Sequence, residues 1–109
     1  MTTPETIDRI IADERAFADR LRAATRWTDE INVEATRCDL ARYAAMRDAS
    51  PEDRDRLAAA MAALCDEETA LMHRDTLTRA ADDVEECRAS AERMGRIAVR
   101  AVPYREGRP

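Results

Sequence analysis

Apolar residues in the first half of the chain recur at alternating steps of three and four. The series runs Ile7, Ile10, Glu14, Phe17, Leu21, Ala24, Thr28, Ile31, Ala35, Cys38, the spacing of a coiled-coil seam on one face of a helix. Ile11, Ala18, Trp27 and Tyr43 widen the stripe. The breakers agree with the pattern: Pro stands at 4, 51, 103 and 109, and Gly only at 95 and 107. The spacing therefore predicts an all-α antiparallel hairpin of two long helices. Helix one covers about 4–48, a turn 49–51, helix two about 51–102, and a tail 103–109. Thr3-Pro4-Glu5 and Ser50-Pro51-Glu52-Asp53 are start signals, because the hydroxyl caps free amides, Pro loses no bond at the first helical position, and acids suit the positive end of the dipole. Breaks at 25–32, where Thr28-Asp29 resembles a cap, and at 73–76 would convert the hairpin into a short single-chain four-helix bundle. Long helices are the primary reading, because a reversal usually carries Gly or Pro.

Helix two opens with a strong face, Leu57, Met61, Leu64, Cys65, Leu71 and Met72, and then thins to Leu77, Ala80, Ala81, Val84, Cys87, Ala89 and Ala91. Small side chains there let a partner helix approach closely. Met94, Ile97, Ala98 and Ala101 resume the stripe. A hairpin folded at 49–50 sets Cys38 opposite Met61 and Ala35 opposite Leu64, but Phe17 opposite Asp82 and Leu21 opposite Thr78. That mismatch predicts a partner interface on Ile7, Ile11, Phe17, Leu21 and Trp27. Its expected form is a homodimer, two hairpins completing a four-helix bundle, or a larger assembly.

Composition narrows the function classes. The chain has 109 residues, enough for one small domain, and aromatics are only 4%, so large core-forming side chains are few. All 18 basic residues are Arg, and the net charge is −5 with the acids interleaved among them. Nucleic acid and anionic membrane surfaces need clustered positive charge, so neither is expected as a partner. The opening MTTPETIDRI reads as acidic and without the apolar core of a secretory leader. Cys38, Cys65 and Cys87 are odd in number and lack CxxC spacing. The expectation is a cytoplasmic protein whose thiols are reduced and buried.

Few residues can carry chemistry. Glu14 and Glu68 fall on apolar stripes, and inward carboxylates on helices build di-iron bundles when paired with Glu-x-x-His. The single histidine, His73, has Ala70 three positions before it, so that motif is missing. Glu14, Glu68 and His73 pooled across a subunit interface are the alternative, a metal-binding carboxylate bundle. The competing reading of the two carboxylates is pairing with Arg across the bundle to set register. Arg96, Arg100, Tyr104 and Arg105 form a basic C-terminal segment that reads as a docking tail for an acidic partner, with Gly95 as a joint. One His and two Gly supply neither a nucleophile–base set nor a phosphate-cradling loop. No catalytic residue and no cofactor is expected. The primary expectation is a non-enzymatic helical assembly, adaptor or protein-binding inhibitor module acting through protein–protein contacts.

Overall fold

The computed structural model describes residues 2–101, with side chains through Arg96. The described residues form three helices and no strand: α1 (Pro4–Ala23), α2 (Asp29–Met46) and α3 (Pro51–Ala101). By its contacts the chain divides into two compact units, Met1–Thr76 and Leu77–Pro109.

The start signals act as their chemistry dictates. Thr3 is the N-cap of α1 and its hydroxyl accepts from the Thr6 amide at 3.2 Å. Thr28 does the same for α2, accepting from Ile31 N at 3.2 Å. Ser50 Oγ accepts from Asp53 N at 3.1 Å at the start of α3. The last turn of α2 carries no basic residue of its own. Arg54 of α3 supplies one instead, donating from Nε to Met46 O at 3.0 Å and from its terminal nitrogen to Arg47 O at 3.3 Å.

The expected helix over 4–48 is two helices. It ends at Ala23 and restarts at Asp29 without a Gly or Pro. The backbone needs neither: Ala24 (φ −89°, ψ 151°) and Thr28 (φ −97°, ψ 166°) are extended, and no described residue has a positive φ. Groups on α3 stabilise the break. Arg74 donates to Ala24 O at 3.1 Å and to Leu21 O at 2.7 Å, joining the Ala24 amide, which donates to Leu21 O at 3.1 Å, at the C-terminal end of α1. Asp75 accepts from the Trp27 amide at 3.2 Å. The other candidate break, 73–76, is continuous helix. Asp75 directs its carboxylate to Trp27, and Thr76 Oγ1 donates back to Met72 O at 2.9 Å inside the helix.

Ion pairs give the directions within the first unit. Glu14 pairs with Arg42, and Arg20 with Glu34, so rising numbers on α1 meet falling numbers on α2, and the two run antiparallel. Asp8 pairs with Arg56 at 2.6 Å and Arg22 with Glu67 at 3.1 Å, so residues 51–76 of α3 run the same way as α1. Two apolar clusters fill the unit. Ile7, Ile10, Ile11, Ala45, Ala49 and Leu57 form one. Phe17, Ala18, Leu21, Ala35, Cys38, Leu64 and Leu71 form the other. Each large aliphatic or aromatic member contributes about 1.5–3 kcal/mol by leaving water.

This packing corrects the expected partner interface. Ile7 and Leu21 are 0% exposed and Phe17 is 1% exposed; Ile11 is buried with them, and Trp27 packs half-buried on the second cluster. The reversal after Ala23 brings α2 and α3 of the same chain over this face. Almost no surface of Ile7, Phe17 or Leu21 is left for another chain to cover.

Candidate functional site

Glu14 and Arg42 are the polar residues that the first unit buries most deeply, at 1% and 2% exposure. Glu14 lies between Ile11 and Phe17 on α1, and Arg42 between Cys38 and Ala45 on α2, so the pair separates the two apolar clusters. Arg42 donates to Glu14 Oε1 and, at 2.6 Å, to Asp39 Oδ1. Glu14 Oε2 and Arg42 Nε are buried and take no hydrogen bond among the described residues. Burial pushes the Glu14 carboxyl above its ordinary range, and the Arg42 guanidinium only partly opposes this. Glu68, half-buried on α3, is raised for the same first reason, with the Asp39 charge adding to it.

Of the residues weighed as metal ligands, Glu14 is therefore engaged by a guanidinium, Glu68 is half-buried, and His73 is exposed. Among the described residues no three His, Cys, Asp or Glu side chains converge as a donor set. Sequence reasoning misses Arg42, yet the seam spacing 35, 38, 42, 45 carries the signal, because it places an Arg on the buried stripe. The thiols depart from expectation too: Cys38 is buried, whereas Cys65 and Cys87 are exposed, and all three are free. A groove of about 770 Å³ runs beside α1 and the first half of α3. Ala12, Ala59 and Ala63 line it between Arg15, Asp19 and Arg56, with no Ser, Cys or His on its walls.

The second unit differs in kind. Among its described residues no side chain is buried, although α3 keeps apolar residues there at seam spacing: Leu77, Ala80, Val84, Cys87, Ala91, Met94. All six are exposed, Leu77 at 56%, Val84 at 60% and Met94 at 68%. Steps of three, four, three, four and three put them in one line along the helix. The sequence marks this stretch as the narrow face that admits a partner helix, without its register. A second exposed apolar group, Val33, Leu40 and Tyr43, lies on α2. Tyr43 is covered on one ring face by the Arg42 guanidinium, 5.4 Å from the centroid.

Of the expected docking tail, Arg96 is exposed. The Arg100 side chain, Tyr104 and Arg105 lie outside the described residues, as does the stretch expected as a tail, 103–109. No helix among the described residues is long and apolar enough to cross a membrane. Compared with known proteins, the chain matches no family model, no curated protein and no solved structure.

Proposed function

We propose that the chain is a non-enzymatic, cytoplasmic helical assembly module that works by protein–protein contact through the second half of α3. One observation carries the reading: Leu77, Val84 and Met94 stand exposed on a single seam-spaced line, in a segment whose described side chains are all at least partly open to solvent. A helix gains most of its stability from packing an apolar face, and a linear stripe of this kind fits another helix. Three free thiols suit a reducing compartment. The interleaving of Arg with a −5 net charge favours protein over nucleic acid as the partner.

The test is site-specific photo-crosslinking in cells. A photoreactive residue at Val84, on the stripe, is expected to yield a discrete protein adduct. The same residue at Asp82, on the opposite side of the helix, is expected to yield none. Equal adduct formation at both positions, or none at Val84, overturns the reading.

A further inference from the structure

We propose that the occupant of the α3 stripe is a second copy of this chain, held as a parallel, in-register two-stranded coiled coil over residues 77–101; this rests on the preceding reading of the stripe as a docking face. The seam spacing defines the register. Leu77, Val84 and Ala91 take the first core position of successive heptads, and Ala80, Cys87 and Met94 take the fourth. The flanking positions that face each other across a two-stranded coil then fall to Asp83, just before Val84, and Arg88, just after Cys87.

In a parallel in-register pair, the residue flanking one heptad on its C-terminal side meets the partner residue five positions further on. Asp83 of one copy thus meets Arg88 of the other, and the two-fold axis makes this contact twice. The other flanking positions carry no competing charge: Thr76, Ala81, Ser90 and Gly95. An antiparallel pairing that keeps the core in register sets Asp83 against Ser90 and Arg88 against Ala81. It forms no opposite-charge contact. Charge complementarity therefore selects the parallel arrangement and a copy of the same chain.

The core chemistry agrees with that choice. Val84 at the first core position supplies the β-branched side chain that two-stranded parallel coils accept there. Ala80 and Ala91 let the helix axes approach closely. Asp83 and Arg88 are exposed in the single chain, and the Arg88 guanidinium sits 3.5 Å from Glu85 on its own helix. An exposed contact of that length exchanges readily for one across the interface. Equivalent fourth positions face each other in a parallel dimer, so the two Cys87 thiols approach within reach of a disulfide.

The experiment uses the full chain and two readouts. In sedimentation equilibrium the wild type is expected to pass from the 12.3 kDa chain mass to twice that mass as concentration rises. Asp83→Arg and Arg88→Asp each place like charges at both contacts and are expected to weaken dimerisation on the order of tenfold. In an equimolar mixture of the two variants, the mixed dimer again sets an arginine against an aspartate at both contacts. That mixture is expected to recover wild-type association. In a Cys38→Ala/Cys65→Ser background, copper–phenanthroline with dioxygen as oxidant is expected to link Cys87 to Cys87 in reduced, dimeric protein.

Failure separates cleanly from failure of the proposed function. A monomer at every concentration, together with a Val84 adduct to a different protein, keeps the docking face and overturns self-association. A dimer indifferent to the charge exchange, or one in which Cys87 does not crosslink, overturns the parallel register. The variants sit on exposed positions, and unchanged Trp27 emission and helical circular dichroism show that the rest of the chain is intact.

Discussion

Glu14 of α1 and Arg42 of α2 form a buried ion pair that separates two apolar clusters. Taking both charges out of water is costly, and the pair restores only part of that cost, since one oxygen and one N–H stay unpaired among the described residues. The arrangement is asymmetric toward mutation. Arg42→Met leaves a buried carboxylate alone and is expected to destabilise by about 3 kcal/mol or more. The double change Glu14→Leu/Arg42→Met is expected to match or exceed wild type. Urea denaturation of wild type, both single variants and the double variant measures it. An additive double variant would show that the two side chains do not act on each other.

The pH dependence of this pair has a definite sign. Burial raises the folded-state pKa of Glu14 above 4.5, so the folded chain holds that proton to higher pH than the unfolded chain. The associated stability is fully present below the unfolded value and is lost as pH rises through the folded one. Glu14→Gln removes this dependence. The stability of wild type minus that of Glu14→Gln is therefore expected to increase as pH is lowered from about 7 to about 4. A decrease over that range would mean that Arg42 outweighs desolvation and holds Glu14 below its ordinary value.

The all-helical class and the break at Ser50-Pro51 were legible because Pro and capping hydroxyls act locally. The break after Ala23 was not, for two reasons that are visible in the structure. Extended backbone at Ala24 and Thr28 needs no Gly, and Arg74 and Asp75, which hold the connection, lie about 50 residues away along the chain. The misplaced partner interface followed from the same omission. Without the reversal, Phe17 lies opposite Asp82; with it, Phe17 shares a cluster with Leu64 and Leu71. Thr28-Asp29 was the local signal for the break, and the seam position of Arg42 the signal for the ion pair.

The connection between α1 and α2 is expected to depend on α3. Arg74→Ala removes two donors from the carbonyls of Leu21 and Ala24. A cost of about 1.5–3 kcal/mol is expected, since hydrogen bonds to charged groups contribute that much. Asp75→Ala removes the acceptor for the Trp27 amide. Trp27 is the single tryptophan, so its emission reports this region, and both variants are expected to shift it to longer wavelength as the ring loses cover from α3. An unshifted spectrum together with unchanged urea midpoints would show that the reversal is set by Thr28 capping alone.

Capping by Thr28 is itself measurable. Its hydroxyl accepts from the Ile31 amide at the first turn of α2. Thr28→Ala is expected to cost about 1 kcal/mol and Thr28→Gly only a few tenths, the usual ranking of N-cap residues. Because α2 carries Arg42 against Glu14, loss of the cap is expected to expose that pair earlier in unfolding. Amide exchange at Asp29–Ile31 is then expected to quicken more than exchange at Leu57 or Leu64. Uniform acceleration would assign the effect to global stability.

The three thiols differ in surroundings, and chemistry tells them apart. Cys65 and Cys87 are exposed, whereas Cys38 is buried, its thiol pushed up to about 11 from 9.0 first by loss of water and then by the Glu14 and Glu34 charges. A disulfide reagent at neutral pH is expected to modify two thiols rapidly in the folded protein and the third only on unfolding, because the thiolate is the reacting form. The same raised pKa has a stability consequence. Between 9.0 and about 11 the unfolded thiol ionises while the folded one does not, so stability present below the lower value is lost as pH rises through that window. Relative to Cys38→Ala, wild type is expected to lose about 1.4 kcal/mol on going from about pH 7 to about pH 10. Denaturant titrations of both proteins at the two pH values decide the matter. Parallel loss in both would place the alkaline sensitivity elsewhere, and rapid modification of all three thiols in the folded state would show that the cluster around Phe17 and Leu64 opens on the timescale of the reagent.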